Sequence, residues 1–152
     1  GLRAIPGMIE TLEERVLRNA TPFLGVCVGM QLMAEYGLEH GKHQGLGWIP
    51  GGVVPITPPD NSYKIPHMGW NDLVTRSSHP VLNGIKTGDH AYFVHSFHFH
   101  CADRAHILAE VEYGHLMVAM VAKATMVGTQ FHPEKSQKLG LALIANFLGW
   151  RP

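Results

Sequence analysis

Two short segments of the chain combine the residue types that nucleophilic catalysis requires. In Gly25-Val26-Cys27-Val28-Gly29 a thiol follows a short apolar run and is flanked by glycines. Small residues two before and two after a nucleophile let a strand turn sharply into a helix, holding the side chain strained and exposed. This is the nucleophile-elbow logic with sulfur in place of oxygen. The N-terminus of the helix that follows sets unpaired N–H groups and a positive dipole end beside the sulfur, favouring thiolate, and the Val28 N–H faces the place where an oxyanion would form. The second segment is Thr129-Gln130-Phe131-His132-Pro133-Glu134. A nucleophilic thiol needs an imidazole within reach, and the imidazole needs a carboxylate to fix its tautomer and stabilise its charged form. Pro133 stops the strand and biases His132 toward extended backbone, so His132 and Glu134 leave the sheet edge in a set relation. Taken singly, each segment has a plain structural reading, a core cysteine in a glycine turn or a surface pair flanking a bend. Together they predict Cys27 as nucleophile, His132 as base and Glu134 as the residue that orients the base.

The elements that must position these groups can be read from periodicity. Between Pro6 and Ala20, Ile9, Leu12, Val16 and Leu17 recur near helical spacing and predict an amphipathic surface helix. Phe23 to Val26 reads as a strand, followed after Cys27 by a helical pattern from Met30 to Tyr36. Residues 41–59 are rich in Gly and Pro, with Val53, Val54 and Ile56 marking one short strand. Ala91 to His100 is one β-prone segment; Ile107 to Val111 and Leu116 to Val121 are strands separated by a Tyr-Gly turn, and Met126 to Phe131 is a third. A last helix is expected from about Lys138 to Leu148, burying Leu141, Ile144, Ala145 and Leu148. No internal repeat or linker divides the chain, so a single α/β domain follows, with a central, mostly parallel sheet flanked by helices.

Composition narrows the function classes. Among 152 residues, 45% are hydrophobic, enough for one ordinary core, and twelve Lys and Arg balance twelve Asp and Glu. That balance gives no basic surface for nucleic acid and no polybasic run for anionic lipid. No apolar stretch reaches the length of a membrane span, the first ten residues lack signal-peptide character, and a cytoplasmic location is the expectation. The two cysteines, Cys27 and Cys101, read as free thiols.

The strings Pro22-Phe23-Leu24-Gly25-Val26-Cys27-Val28-Gly29-Met30-Gln31 and Gly128-Thr129-Gln130-Phe131-His132-Pro133-Glu134-Lys135-Ser136 closely resemble those of the class I, triad-type glutamine amidotransferases. With Lys135-Ser136-Gln137, Pro66-His67-Met68-Gly69-Trp70-Asn71 and Tyr92-Phe93-Val94-His95-Ser96-Phe97, the chain looks like the members that serve as glutaminase subunit of imidazole glycerol phosphate synthase. Relatives serving anthranilate, aminodeoxychorismate or GMP synthesis typically lack the lysine and the Met-Gly-Trp-Asn segment. The resemblance implies an enzyme of histidine biosynthesis that cleaves glutamine to glutamate and ammonia without a cofactor. It passes the ammonia to a separate TIM-barrel cyclase subunit, which makes imidazole glycerol phosphate and the aminoimidazole carboxamide nucleotide. It further implies that the Val28 N–H is an oxyanion donor, that Gln31 and the backbone of Ser96 and Phe97 bind glutamine, and that Trp70, Asn71 and Lys135 face the cyclase.

Two departures from the family stand out. Members usually begin with a strand and a Pro-Gly-Val-Gly loop beside the nucleophile, so residues 1–152 are expected to form a domain whose first strands are missing. The run Phe97-His98-Phe99-His100 also replaces residues that are more often tyrosines. Two other classes of reading compete. A metal site would use His95, His98, His100 and Cys101 with His106 or His115, but strand alternation puts only His98 and His100 on one face, and no metal is expected. A non-catalytic domain that only docks a partner would not need Cys27, His132 and Glu134 together.

Overall fold

The computed structural model describes residues 1–152 and forms an α/β domain with two sheets. After a 3-10 turn come helix α1 (Met8–Glu13), a π-helical turn over Glu14–Arg18, strand β1 (Phe23–Val26) and helix α2 (Val28–Leu32). Strands β2 (Tyr36–Gly37), β3 (His43–Gln44), β4 (Gly51–Pro55), β5 (His67–Thr75), β6 (His90–His95) and β7 (Phe97–Cys101) follow. Then come β8 (Ile107–Glu112), β9 (Leu116–Lys123), β10 (Met126–Thr129) and helix α3 (Gln137–Gly149).

The larger sheet has six strands in the order β1-β10-β9-β8-β5-β6, and the smaller has four in the order β3-β2-β4-β7. Only β1 with β10 and β2 with β4 are parallel, so the expected mostly parallel sheet is instead mixed and mainly antiparallel. Connection length is the reason. A parallel neighbour needs a crossover of about a dozen residues or more, whereas β8, β9 and β10 are joined by tight turns at Tyr113–His115 and Ala124–Thr125. The single β-prone segment at 91–100 is likewise two strands. The break at Ser96 sends β6 to the larger sheet against β5 and β7 to the smaller sheet against β4.

The core lies on both faces of the larger sheet. One cluster joins Phe93, Val111, Met117, Val127 and Phe131 to Leu139 and Leu143 of α3. The other joins Val118, Val121 and Met126 to Met30, Met33, Phe99 and, from the N-terminal helical segment, Val16. Each large side chain buried in this way contributes about 1.5–3 kcal/mol. Leu17, expected on the same stripe as Val16, is exposed, and α2 ends at Leu32, short of Tyr36. The expected face of α3 is also corrected: Leu141 is 71% and Leu148 69% exposed, while Leu139, Gly140 and Leu143 are buried. The helix is apolar nearly all round, so periodicity alone could not choose. Gly140 chooses, because its bare Cα seats against the carbonyl of Pro133. No helix is long and apolar enough to cross a membrane.

Candidate active site

Parallel pairing of β1 with β10 brings the two sequence segments to one end of the sheet. Val26 is in register with Thr129, and the Cys27 N–H donates to the Thr129 carbonyl at 2.7 Å, which sets the nucleophile candidate beside the start of the His132 turn. Cys27 adopts φ +52°, ψ −108° at the head of α2, a backbone state that costs an L residue about 1–3 kcal/mol and persists only where its surroundings enforce it. Gly25 is part of that enforcement: a Cβ there would lie 2.6 Å from the Gly29 carbonyl oxygen. Gly29 itself has open space where its Cβ would be, so the elbow's steric demand falls on the glycine before the cysteine.

Burial pushes the Cys27 thiol up, and the charge of Glu134 pushes the same way; the Val28 N–H, the Gln130 amide and the Lys135 charge pull down but do not win. The helix end that was expected to favour thiolate is thus outweighed, as befits an α2 of only five residues. A thiol shifted in this direction needs a base to become a nucleophile. Alkylation of Cys27 by iodoacetamide, followed by mass spectrometry across pH, should therefore show a midpoint above the ordinary thiol value. A midpoint at or below it would mean that the N–H groups outweigh burial.

His132 is held through both its backbone and its ring. Its N–H donates to the Tyr92 carbonyl at 3.0 Å, its carbonyl accepts from the Ser136 hydroxyl at 2.7 Å, and its Nδ1 lies 2.7 Å from Glu134 Oε1. An ionised carboxylate can only accept, so Nδ1 carries the proton and Nε2 is the free basic atom. Burial acts to raise the Glu134 carboxyl, but the His132 hydrogen bond, its own backbone N–H and the His132 and Lys135 charges bring it below its usual range. No hydrogen bond joins His132 to Cys27 in this state; such contacts often tighten only around substrate. Ser136, buried and also accepting from the Tyr92 N–H at 3.0 Å, clamps the His-Pro-Glu turn to β6.

Gln130 is fully buried inside the second motif, where its residue type alone assigned it no role. Its Nε2 lies 3.7 Å from Cys27 Sγ, and its Oε1 accepts from Gln31 Nε2 at 3.0 Å. Gln31 Nε2 also donates to the Phe97 carbonyl at 3.0 Å, so both its N–H groups are engaged and its oxygen is the atom left for a ligand. Phe97 thus enters the site through its carbonyl, with Ser96 beside it at the strand break. Val28 and Gln31 line a cleft of about 180 Å³ with Leu32, Tyr36 and Glu39. Glu39, which sequence reasoning passed over, supplies the cleft's negative charge. Its signal was only a carboxylate eight residues past Gln31, in a segment without periodicity. Cys27 and His132 do not themselves line this cleft, which adjoins the nucleophile through Val28; a larger hollow of about 780 Å³ between Thr75 and Ile85 holds no residue of either motif.

The residues expected to face a partner separate. Trp70 and Met68 lie on the exposed face of β5; Trp70 packs edge-on against Tyr92 at 5.7 Å, and Lys135 Nζ sits 5.8 Å over the same ring. Asn71, half-buried, lies on the opposite face of the strand from Trp70, where its Nδ2 meets His67 and the Glu112 carbonyl. No group of three His, Cys, Asp or Glu side chains is arranged to hold a metal. His98 and His115 approach one another, but His106 faces Asp103.

The glutamine amidotransferase class-I family matches residues 1–149. The chain is 62% identical to the imidazole glycerol phosphate synthase subunit HisH of Cereibacter sphaeroides, a match covering 96% of this chain and 69% of that protein. It is 59% identical to the HisH subunit of Rhodospirillum rubrum, over 100% of this chain and 72% of that one. Among solved structures, a glutamine amidotransferase superposes with a TM-score of 0.66 at 19% identity, covering 94% of this chain and 67% of that chain. Another glutamine amidotransferase, from Thermotoga maritima, gives 0.62 at 19% identity, covering 91% of this chain and 52% of that chain.

Proposed function

The chain belongs to the class-I glutamine amidotransferases, and we propose that it is the glutaminase subunit of an imidazole glycerol phosphate synthase, working through Cys27, His132 and Glu134. The observation that supports the catalytic assignment is that a strained Cys27 and the His132–Glu134 pair follow the in-register ends of two parallel strands.

The chemistry follows from the free atoms. His132 Nε2 takes the thiol proton as Cys27 Sγ attacks the side-chain amide carbon of glutamine. The Val28 N–H, at the head of α2, stabilises the oxyanion. The same proton passes from His132 to the departing nitrogen, which leaves as ammonia, and a γ-glutamyl thioester remains. Water, giving its proton to His132, then releases glutamate and restores the thiol. Glu134 holds the imidazolium that forms twice in the cycle, and the exposed carboxylate costs little to keep charged. Glu39 and the Gln31 oxygen supply the negative charge and the acceptor that an α-ammonium group needs.

The patch of Met68, Trp70 and Tyr92, with Lys135 lacking any carboxylate partner in the chain, has the composition of an interface centre: an exposed methionine and tryptophan beside a half-buried tyrosine and one cation. We assign it to the cyclase subunit, which takes the ammonia. Glutamate release from glutamine should depend on Cys27 and rise when the cyclase and its nucleotide ligand are added. Release that ignores the cyclase would remove the synthase assignment, and release that survives loss of the thiol would remove the mechanism.

A further inference from the structure

A second set of buried polar groups lies behind the site and is not used by the triad. His67 and His95, on paired strands β5 and β6, are both buried, with His67 Nδ1 2.9 Å from His95 Nε2. His95 Nδ1 is 2.9 Å from the Phe97 carbonyl, and Asn71 Nδ2 is 3.3 Å from His67 Nε2.

Elementary donor accounting gives this chain one direction. A carbonyl cannot donate, so His95 carries its proton on Nδ1, and Nε2 of the neutral ring is an acceptor. His67 must then donate from Nδ1, which leaves its Nε2 to accept from the Asn71 amide. Asn71 is fixed in turn, because its Nδ2 also donates to the Glu112 carbonyl at 2.8 Å and its oxygen accepts from the Asp72 N–H at 2.8 Å. His67 is further wedged between the rings of Phe93 and Tyr113, at 4.9 and 4.1 Å.

The end point of the chain is the informative part. Phe97 O accepts from both His95 and Gln31; because the Ile56 N–H donates to Ser96 O, Pro55 and Phe97 are a non-hydrogen-bonded pair, and the Phe97 carbonyl points away from β4 at the open edge of the smaller sheet. At this break between two sheets the carbonyl depends on side-chain donors. If it turns, Gln31 loses one of the two acceptors that aim its amide and is held by Gln130 alone, which loosens the orientation of the Gln31 oxygen toward the cleft.

We propose that Asn71, His67 and His95 are positioning residues for substrate: a one-way hydrogen-bond chain that fixes the Phe97 carbonyl and, through it, the Gln31 amide against bound glutamine. This rests on the glutaminase reading above. Burial, with the neighbouring His95, holds His67 down to about 4, and burial lowers His95 too, so both rings stay neutral and the tautomers stand.

The test is steady-state glutamate release by the complete protein with its cyclase partner, normalised to alkylatable Cys27. His67→Phe keeps the ring stack and His95→Phe removes both bonds. Each should raise KM for glutamine by about tenfold with kcat changed less than about threefold, as expected when a buried acceptor loses its donor. His95→Asn, which restores a donor toward Phe97, should recover most of the loss, and Asn71→Ala should show a smaller rise of the same kind. A merely structural role would lower the Tm and the number of competent molecules while leaving KM alone. KM values within about twofold of wild type in His67→Phe and Asn71→Ala, with Cys27-dependent release intact, would overturn the proposal. Wild-type protein without Cys27-dependent release would instead overturn the glutaminase reading beneath it.

Discussion

Replacing Cys27 by Ala is expected to cut glutamine-dependent synthesis by about 10⁴-fold or more while leaving synthesis from free ammonium nearly unchanged. The thiol is the only group at the elbow that can form the acyl bond, and ammonium bypasses that bond. His132→Ala should fall almost as far, because the thiol is held protonated by burial and has no other base with a free lone pair beside it. The double variant should be no worse than either single one, since removing any part of a coupled unit disables the whole. Glu134→Gln should be milder by about tenfold or more, for the exposed carboxylate orients a base that is also held by Tyr92 and Ser136. Glutamate release and ammonium-dependent product formation, measured side by side, check this ranking. Equal and small losses at all three positions would rule out the triad, and loss of the ammonium reaction in Cys27→Ala would place the cyclase chemistry here as well.

The triad could be read from the sequence because each half of it is local. Gly25 to Gly29 encodes both a backbone shape and a nucleophile, and His132-Pro133-Glu134 encodes both a bend and its chemistry. What could not be read depends on contacts far along the chain. Gln130 and Ser136 stand inside the second motif, yet their roles exist only through Cys27, Gln31 and Tyr92. The contacts of Asn71 with His67 and the Glu112 carbonyl likewise join residues far apart in the chain or along a strand, and neighbouring residue types do not announce them. Strand β5 itself left little trace, since its nine residues include Gly69, Asn71 and Asp72 and the stretch from Met68 to Asp72 alternates only between exposed and half-buried. The sheet's hand of pairing was inferred from the general α/β pattern, although the short turns after Glu112 and Lys123 already favoured hairpins.

The same long-range logic makes Gly140→Ala the most disruptive small change expected outside the triad. In isolation a helix gains about 0.5–1 kcal/mol from Gly to Ala. Here the new Cβ would fall 1.7 Å from the Pro133 carbonyl oxygen and 2.6 Å from its carbon, and both are backbone atoms that cannot rotate away. Either α3 lifts from the core that Leu139 and Leu143 build, or the His-Pro-Glu turn shifts; overpacking of this kind costs about 1–3 kcal/mol or more. Pro133 joins His132 to Glu134, so a shift of about 1 Å should lower kcat about 10²-fold even in molecules that remain folded. Gly149→Ala is the matched control, because its Cβ would meet nothing within 4 Å at the far end of the same helix. Urea unfolding and glutamate release should therefore separate the two variants: Gly149→Ala neutral or slightly stabilised with full activity, Gly140→Ala losing both. A Gly140→Ala protein with wild-type midpoint and turnover would show that α3 does not hold the catalytic turn, and that the clamp at Ser136 suffices.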